Sequence, residues 1–259
     1  MKMLSVAVAA AEAGAAVLME MFGKKIRIDH KGEVDLVTEA DRAAEKAIVE
    51  TIGNQFPEHD ILAEEGKYAD RSSHHRWIID PLDGTTNYAH GFPWFAVSIG
   101  LEVEDEVVIG VVLNPYTREL YVAEKGAGAT LNGKSISVSA IDRLDLSLLA
   151  TGFPYDRKQS QGNNYDNFIN FQQSAQACRR PGAACLDLAS VAAGRFDGYW
   201  EMKLKPWDVA AGQLLVSEAG GQLSNFGGDR LDIYGNETVA SNGLIHDAMI
   251  TILRNGNRP

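Results

Sequence analysis

Two aspartates stand three residues apart at the end of an apolar run. Asp80 follows Trp77-Ile78-Ile79, and Pro81 and Leu82 separate it from Asp83. The run predicts a strand, and since proline cannot donate to a strand ladder, we expect a turn that brings Asp83 and the Leu82 carbonyl beside Asp80. Like charges so close repel unless one is protonated or a cation binds. Oxygen ligands of this kind suit a hard ion such as Mg²⁺.

Glycine and hydroxyl residues follow the second aspartate directly. Gly84, Thr85 and Thr86 open the next segment, and we expect their amides to face an anion as those of a helix N-terminus do. A cation and a phosphate would then bind side by side. An interpretation without chemistry also fits, because an Asp-Pro turn followed by an Asx turn or a helix cap at Asp83 is common in loops.

Acidic residues mark the ends of three other predicted elements. Glu64 and Glu65 follow a short apolar strand, and either a solvated loop or a second pair of metal ligands fits them. Thr38 and Asp41 have nearly the spacing of a capping box at a helix start. Asp208 follows a proline in the first turn of another helix, where an acid is favourable without any function. Each signal is modest alone, and their conjunction is informative.

The composition excludes several other classes of protein. The chain has 259 residues, 45% of them hydrophobic, and its 24 basic and 35 acidic residues give a net charge of −11. No run of Lys or Arg suggests a groove for nucleic acid, which we do not expect as a partner. There is no G-x-S-x-G elbow and no phosphate-binding G-x-x-x-x-G-K-[ST] loop.

The N-terminal segment predicts an amphipathic helix, because Glu12 and Glu20 interrupt its apolar run. We therefore expect a mature cytoplasmic protein without a membrane segment. Cys178 and Cys185 lie seven residues apart in a region with a helical pattern. Since this spacing fits neither a CxxC pair nor a zinc site, we expect two reduced, partly buried thiols.

Helical and strand patterns alternate, which predicts a mixed α/β (α+β) protein. Short β segments between about 95 and 139 predict an antiparallel meander, with helices before it and further helices around 163–176, 182–194, 207–219 and 242–254. No linker interrupts the pattern. We expect one compact domain over 1–259, with subdomains at about 1–142 and 143–259.

Taken together, these motifs resemble those of the inositol monophosphatase family, which belongs to the Mg²⁺-dependent, lithium-sensitive phosphatases. The likeness runs from "DLVTEAD" to the last helix and includes Glu64-Glu65, "WIIDPLDGTTNYAHGFPWFAVSIGL" and "KPWDVAAGQLLVSEAGG". It implies a layered α-β-α-β-α sandwich of the sugar-phosphatase type, with an antiparallel sheet in the first half and a mixed sheet in the second.

The resemblance also implies a set of metal ligands and catalytic groups. One Mg²⁺ ion would bind Glu64, Asp80 and the Leu82 carbonyl, and a second would bind Asp80, Asp83 and Asp208. A third, weaker ion would be held by Glu64 and waters. Thr85 and Asp41 match the pair that orients the attacking water, with Glu64 a further catalytic residue, and Asp83 and the Gly84 and Thr85 amides would contact the phosphate.

Substrate contacts are implied further from the metals. Glu201 matches the acid that accepts hydrogen bonds from inositol hydroxyls, and Gly182 and Ala184 match a segment whose backbone approaches the ring. Ala183 stands where the family usually has Ser or Thr, so one side-chain hydroxyl near the substrate is lost.

The resemblance thus implies a homodimeric Mg²⁺-dependent phosphomonoesterase that hydrolyses a small polyol phosphate, with myo-inositol monophosphate favoured. Histidinol phosphate, fructose 1,6-bisphosphate, 3′-phosphoadenosine 5′-phosphate and NADP are alternative substrates. An acid at Glu201 would repel a second phosphate and would accept an amine, which makes histidinol phosphate the main competitor. A regulatory protein-binding role is an alternative of another class.

Overall fold

Seven α-helices are present in the part of the chain that the computed structural model describes, residues 2–24, 28–30 and 36–255. They are α1 (Lys2–Met21), α2 (Glu39–Gly53), α3 (Thr85–Ala89), α4 (Tyr165–Ser174), α5 (Ala184–Ala192), α6 (Pro206–Glu218) and α7 (His246–Asn255). A short 3₁₀ turn covers Leu144–Leu146. The helices predicted after the meander are therefore confirmed: α4, α5 and α7 are shorter than predicted, and α6 keeps its predicted length but begins one residue earlier. The expected side-chain cap at Thr38 lies outside the described side chains.

Fourteen strands are found in the same described ranges. They are β1 (Ile28–His30), β2 (Leu36–Thr38), β3 (Asp60–Ala63), β4 (His75–Asp83), β5 (Ala96–Val103), β6 (Glu106–Asn114), β7 (Glu119–Glu124), β8 (Gly128–Leu131), β9 (Lys134–Ser135), β10 (Leu148–Thr151), β11 (Ala177–Arg179), β12 (Gly198–Met202), β13 (Gln222–Ser224) and β14 (Glu237–Ser241). β1 and β2 form a separate antiparallel pair.

The two large sheets differ in their strand directions. The first has seven strands in the order β3-β4-β5-β6-β7-β8-β9, and all neighbours are antiparallel except β3 and β4. The antiparallel sheet expected in the first half is thus present, with one parallel pair at its edge, where the loop after β3 returns the chain to start β4 in the same direction. The second sheet, in the order β11-β10-β12-β14-β13, is mixed as expected.

Alternating side chains on the strands produce the layers. In β4, Trp77 and Ile79 pack with α1 and α2, whereas Ile78 packs with α5 and α6. In β12, Tyr199 faces the α5 and α6 layer and Trp200 packs with α4 and α7. Both faces of each strand are apolar, as expected for sheets covered on both sides. This arrangement confirms the α-β-α-β-α sandwich.

Three details of the local structure differ from the sequence-based expectations. Cys178 lies in β11 and not in a helix, although both cysteines are free and buried. The short strands β10, β13 and β14 were not predicted. Pro81 does not end β4, which continues to Asp83 through a register shift between Asp80 and Asp83. A proline is tolerated there because the irregular pairing leaves its position without a ladder bond.

The first helix is long and apolar enough, by length and composition, to cross a membrane. Core helices of globular proteins meet the same criteria. In this structure one face of α1 is buried, at Val6, Ala7, Ala10, Ala11, Gly14, Ala15 and Leu18, and it packs on α2 and the first sheet. The amphipathic helix predicted from Glu12 and Glu20 is present.

Small residues allow α6 to lie close to the first sheet. A Cβ added to Gly110 of β6 would lie 2.6 Å from the Ala211 carbonyl oxygen, and one added to Gly100 of β5 would lie 2.9 Å from the Ala210 Cβ. Backbone approach at this distance leaves no room for a methyl group. The position of α6, and of every side chain it carries, therefore depends on these glycines.

We expect Gly110→Ala to lower the free energy of unfolding by about 1–3 kcal/mol, since the added methyl must push α6 from the sheet. Urea denaturation followed by circular dichroism measures the change. Gly53→Ala is the control, because an added Cβ there meets open space in a helix and should leave stability unchanged or slightly raised. Equal effects of the two substitutions would contradict the close packing of α6.

Candidate active site

The end of β4 brings two carboxylates, Asp80 and Asp83, close together. Asp80 is only 1% exposed, and its Oδ1 accepts a hydrogen bond from the Leu82 amide at 2.9 Å. Asp83 follows after the register shift and is half-buried. Asp80 and Asp83 are close enough to interact electrostatically, as expected, although a register shift within the strand brings them together and not a turn after it.

Four carboxylates meet at this strand end. Burial raises the pKa of Asp80 well above its ordinary value, and the charges of Glu64, Asp83 and Asp208 raise it further. Burial also raises the pKa of Asp208. The charge of Asp83 adds to this rise, and that of Glu64 adds less. Both the loss of hydration and the repulsion between neighbours disfavour charge here, so the ionised site is unfavourable in the absence of a positive charge.

Asp208 reaches the cluster from the first turn of α6. Pro206 is the first residue of the helix, and Asp208 Oδ2 accepts a hydrogen bond from the Lys205 amide at 2.7 Å. The predicted helix start is thus confirmed. The carboxylate acts as a cap, and the same side chain faces the cluster.

Asp83 is held by the N-terminus of α5. Its Oδ2 accepts a hydrogen bond from the Cys185 amide at 2.7 Å. Burial raises the pKa of Asp83, while hydrogen bonds from Cys185, Ala184 and Gly84 oppose the rise. Sequence reasoning treated Cys185 only as a buried thiol and missed this contact, because a backbone donor leaves no signature in the sequence.

Thr85 and Asp41 form the expected pair. The Thr85 hydroxyl lies 3.1 Å from Asp41 Oδ1 and 3.0 Å from the Leu82 carbonyl oxygen, and it donates to one or the other. Asp41 is fully buried in the first turn of α2. Gly84 precedes Thr85 with φ +91°, and an added Cβ would lie 2.8 Å from the Trp94 carbonyl oxygen. Both facts require glycine at this position.

Glu201 lies in β12, close enough that its charge contributes to the raised pKa of Asp208 after burial, Asp83 and Glu64. The Tyr199 hydroxyl donates to Glu201 Oε2 at 2.6 Å, and the carboxylate packs directly on Gly152, which leaves no room for a side chain there. Burial raises the pKa of Glu201 to about 7, against the opposing effects of the Tyr199 hydrogen bond and the Arg180 charge. The group can therefore accept or donate a hydrogen bond near neutral pH.

The segment at Gly182 is linked to helix α3 by hydrogen bonds. Asn87 Nδ2 lies 2.7 Å from the Trp94 carbonyl oxygen and 3.0 Å from that of Pro181, so it links α3 to the start of α5. Gly182 has φ +92°, which favours glycine. Ala184 begins α5 two residues later. The structure thus brings Gly182 and Ala184 to the same region as Asp83.

Asp187 is a buried acid that sequence reasoning missed. It is 1% exposed on α5, and its Oδ1 accepts no hydrogen bond. Burial and the charge of Glu201 raise its pKa well above the ordinary value. The sequence offered one signal for it: Asp187 lies four residues after Ala183, in the first turn of the helix whose N-terminus contacts Asp83.

The carboxylates do not form a finished metal cage. Within the described residues, no group of three or more His, Cys, Asp or Glu side chains is already arranged to hold a metal ion. The donors nevertheless match a hard cation in chemistry, since all are oxygens and three of the carboxylates have raised pKa values. Small movements of side chains toward a shared cation would relieve the repulsion.

Comparison with known proteins places these features in a family. The family model for the inositol monophosphatase family matches residues 1–258. An inositol-1-monophosphatase of Synechocystis is 47% identical over 248 residues, 95% of this chain and 86% of that protein. A Nus factor SuhB of Pseudomonas aeruginosa is 41% identical over 261 residues, 97% of this chain and 96% of that protein.

A solved structure shows the same likeness in three dimensions. The inositol monophosphatase from Anabaena superposes with a TM-score of 0.90 at 44% identity, covering 98% of this chain and 96% of that one. Sequence and fold agree, and the protein therefore belongs to the inositol monophosphatase family of phosphatases, which act on small phosphate esters.

Proposed function

We propose that the protein is a Mg²⁺-dependent phosphomonoesterase whose substrate is a small polyol phosphate, with myo-inositol monophosphate favoured. The observation that carries the proposal is the meeting of Glu64, Asp80, Asp83 and Asp208, where burial and then the neighbouring charges raise the pKa values of Asp80 and Asp208. An acidic site can attract a phosphate ester only when cations reverse its sign.

The donor set supports two or three ions. Glu64, Asp80 and the Leu82 carbonyl would hold one ion, and Asp80, Asp83 and Asp208 a second, with Glu64 and waters holding a weaker third. When bound, such ions lower the pKa of a water and neutralise charge on the phosphate and the leaving oxygen. The protein's own groups then determine where the water and the ester lie.

Thr85 and Asp41 would orient the water. When the Thr85 hydroxyl donates to Asp41 Oδ1, its oxygen keeps lone pairs that can accept a hydrogen bond from a water. Asp41 is fully buried, so its orientation toward Thr85 is fixed by α2. This pair aligns the nucleophile, and catalysis requires only positioning and electrostatics, without a phosphoenzyme.

The phosphate and the polyol would bind on opposite sides of Asp83. The Gly84 amide contributes to holding Asp83, so the Thr85 amide is the stronger candidate for a phosphate oxygen. Glu201, with Gly182 and Ala184, would contact the polyol. A carboxylate at this place disfavours a second phosphate, as in fructose 1,6-bisphosphate, 3′-phosphoadenosine 5′-phosphate or NADP, and leaves histidinol phosphate as the rival substrate.

A regulatory role is supported by one comparison. The likeness to the Nus factor SuhB covers 97% of this chain, about as much as the likeness to the inositol-1-monophosphatase. A binding surface alone would not need the complete set Glu64, Asp80, Asp83, Thr85 and Asp208. This set favours an enzyme, with or without a second role. The homodimer, lithium sensitivity, cytoplasmic location and absence of nucleic-acid and membrane binding stay predictions.

We expect Asp83→Asn to lower Mg²⁺-dependent phosphate release from inositol 1-phosphate by more than about 100-fold, since even outer-shell partners of a metal contribute 10–100-fold. A phosphate-release assay with a range of Mg²⁺ concentrations measures the change, and circular dichroism confirms folding. The control Asp142→Asn removes an exposed acid and should retain activity. Full activity of the Asp83 variant would contradict the metal assignment.

Removal of a carboxylate should have opposite effects with and without the ion. Asp80→Asn keeps an acceptor for the Leu82 amide and removes a repelled charge, so in EDTA we expect a higher Tm, by roughly 2–4 °C for each kcal/mol of repulsion removed. In Mg²⁺ the wild type should gain stability and the variant much less. Differential scanning fluorimetry under both conditions tests this. Equal Mg²⁺ gains in both proteins would contradict the proposal.

We expect Glu201→Gln to raise KM for inositol 1-phosphate by about 10–100-fold, because a hydrogen bond to a charged group contributes about 1.5–3 kcal/mol. KM for a simple aryl phosphate should change little, since that ester lacks the hydroxyls. Steady-state kinetics with both substrates, and with histidinol phosphate, measures the split. An equal rise in KM for all three esters would mean that Glu201 does not recognise the hydroxyls of the polyol.

A further inference from the structure

Helix α2 carries two buried acids one turn apart. Asp41 is fully buried and Glu45 is 3% exposed. Residues four apart lie on the same face of a helix, so both carboxylates point to the same side of α2. Asp41 contacts Thr85, whereas Glu45 contacts the chain that follows β3. One helix face therefore touches two different parts of the candidate site.

Both carboxylate oxygens of Glu45 are used. Oε2 accepts a hydrogen bond from the Glu65 amide at 2.9 Å, and Oε1 accepts one from the Tyr68 hydroxyl at 2.8 Å. A Cβ added to Gly66 would lie 2.6 Å from Oε1. The chain from Glu65 to Tyr68 thus wraps closely around this one carboxylate.

The contacts of Glu45 fix the residue before Glu65. The Glu64 amide donates to the Ile79 carbonyl oxygen at 3.3 Å, which continues the pairing of β3 with β4. Glu64 is therefore held by the strand ladder on one side and by the Glu45 contact to the next amide on the other. Its backbone cannot shift without breaking one of these hydrogen bonds.

A second buried acid holds the far end of the same loop. Asp60 is 4% exposed, and its two oxygens accept hydrogen bonds from the Arg71 amide at 2.7 Å and the Ser73 amide at 2.9 Å. The loop between β3 and β4 has no helix or strand of its own. Two buried carboxylates, one at each end, take the place of regular structure there.

We propose that Glu45 is a positioning residue that sets the affinity of the site for divalent cations through the backbone of Glu64. The inference rests on the proposed function, in which Glu64 binds the ion. A ligand whose backbone is already fixed loses less conformational freedom when it binds, so the cation binds more tightly. Glu45 would act without touching the ion, since both its oxygens accept hydrogen bonds from the loop. Asp41, on the same face of α2, contacts Thr85.

Glu45→Gln and Tyr68→Phe test the inference in the full-length protein. We expect Glu45→Gln to raise the Mg²⁺ concentration that gives half of the Tm increase by about 10-fold or more, as supporting residues of metal ligands commonly do. Tyr68→Phe removes one of the two hydrogen bonds and should give a smaller rise in the same direction. The control Glu50→Gln changes an exposed acid on α2 and should give none.

Phosphate release at saturating Mg²⁺ separates positioning from loss of structure. The Glu45 and Tyr68 variants should approach the wild-type kcat when Mg²⁺ is high enough, whereas damage to the fold would lower kcat at every Mg²⁺ concentration. If Glu45→Gln does not fold, Tyr68→Phe decides. If the wild type is stabilised by Mg²⁺ but the folded variants reach half of their Tm increase at the same Mg²⁺ concentration as the wild type, this inference alone is overturned. A wild type that does not respond to Mg²⁺ overturns the proposed function and this inference with it.

Discussion

The structure depends on holding carboxylates in a buried place where they repel one another. Asp80, Asp83 and Asp208 each accept a backbone hydrogen bond, from the amides of Leu82, Cys185 and Lys205 at 2.9, 2.7 and 2.7 Å. Such bonds favour the charged form and partly offset the loss of hydration. They do not cancel it, because the pKa values of all three stay raised. The fold keeps these groups close, ready for a cation to remove the remaining repulsion.

The three amides belong to three different elements, so the site depends on the packing between layers. Leu82 lies near the end of β4, Cys185 in the first turn of α5 and Lys205 at the start of α6. The two helices lie between the sheets, and the close approach of Gly110 to Ala211 fixes the distance from α6 to the first sheet. A change in that distance would move Asp208 relative to Asp80. The geometry of the acidic site therefore depends directly on the packing of the core.

Sequence reasoning predicted the parts that local patterns determine. The apolar run before Asp80, Pro206 at the start of α6 and the order of helices all appear in the structure, as does the Thr85–Asp41 contact that the family resemblance implied. The parts it missed depend on long-range contacts. β10 and β11 are short parallel partners, and pairing of this kind has little local signature. The Cys185 and Glu65 amides are backbone donors, which every residue except proline has, so the amino-acid sequence does not show which of them will be used.

Ala183, which stands where the family usually has Ser or Thr, affects the capping of α5 as well as the number of hydroxyls near the substrate. Ala183 is the N-cap of α5 and is 1% exposed, and it has no side chain that can cap the helix. A serine or threonine at an N-cap usually accepts the hydrogen bond of the second or third amide of the helix. Cys185 is the second residue of α5, and its amide donates instead to Asp83, which arrives from β4. A hydroxyl at position 183 would compete with Asp83 for that donor. The alanine thus ties the capping of α5 to one of the proposed metal ligands.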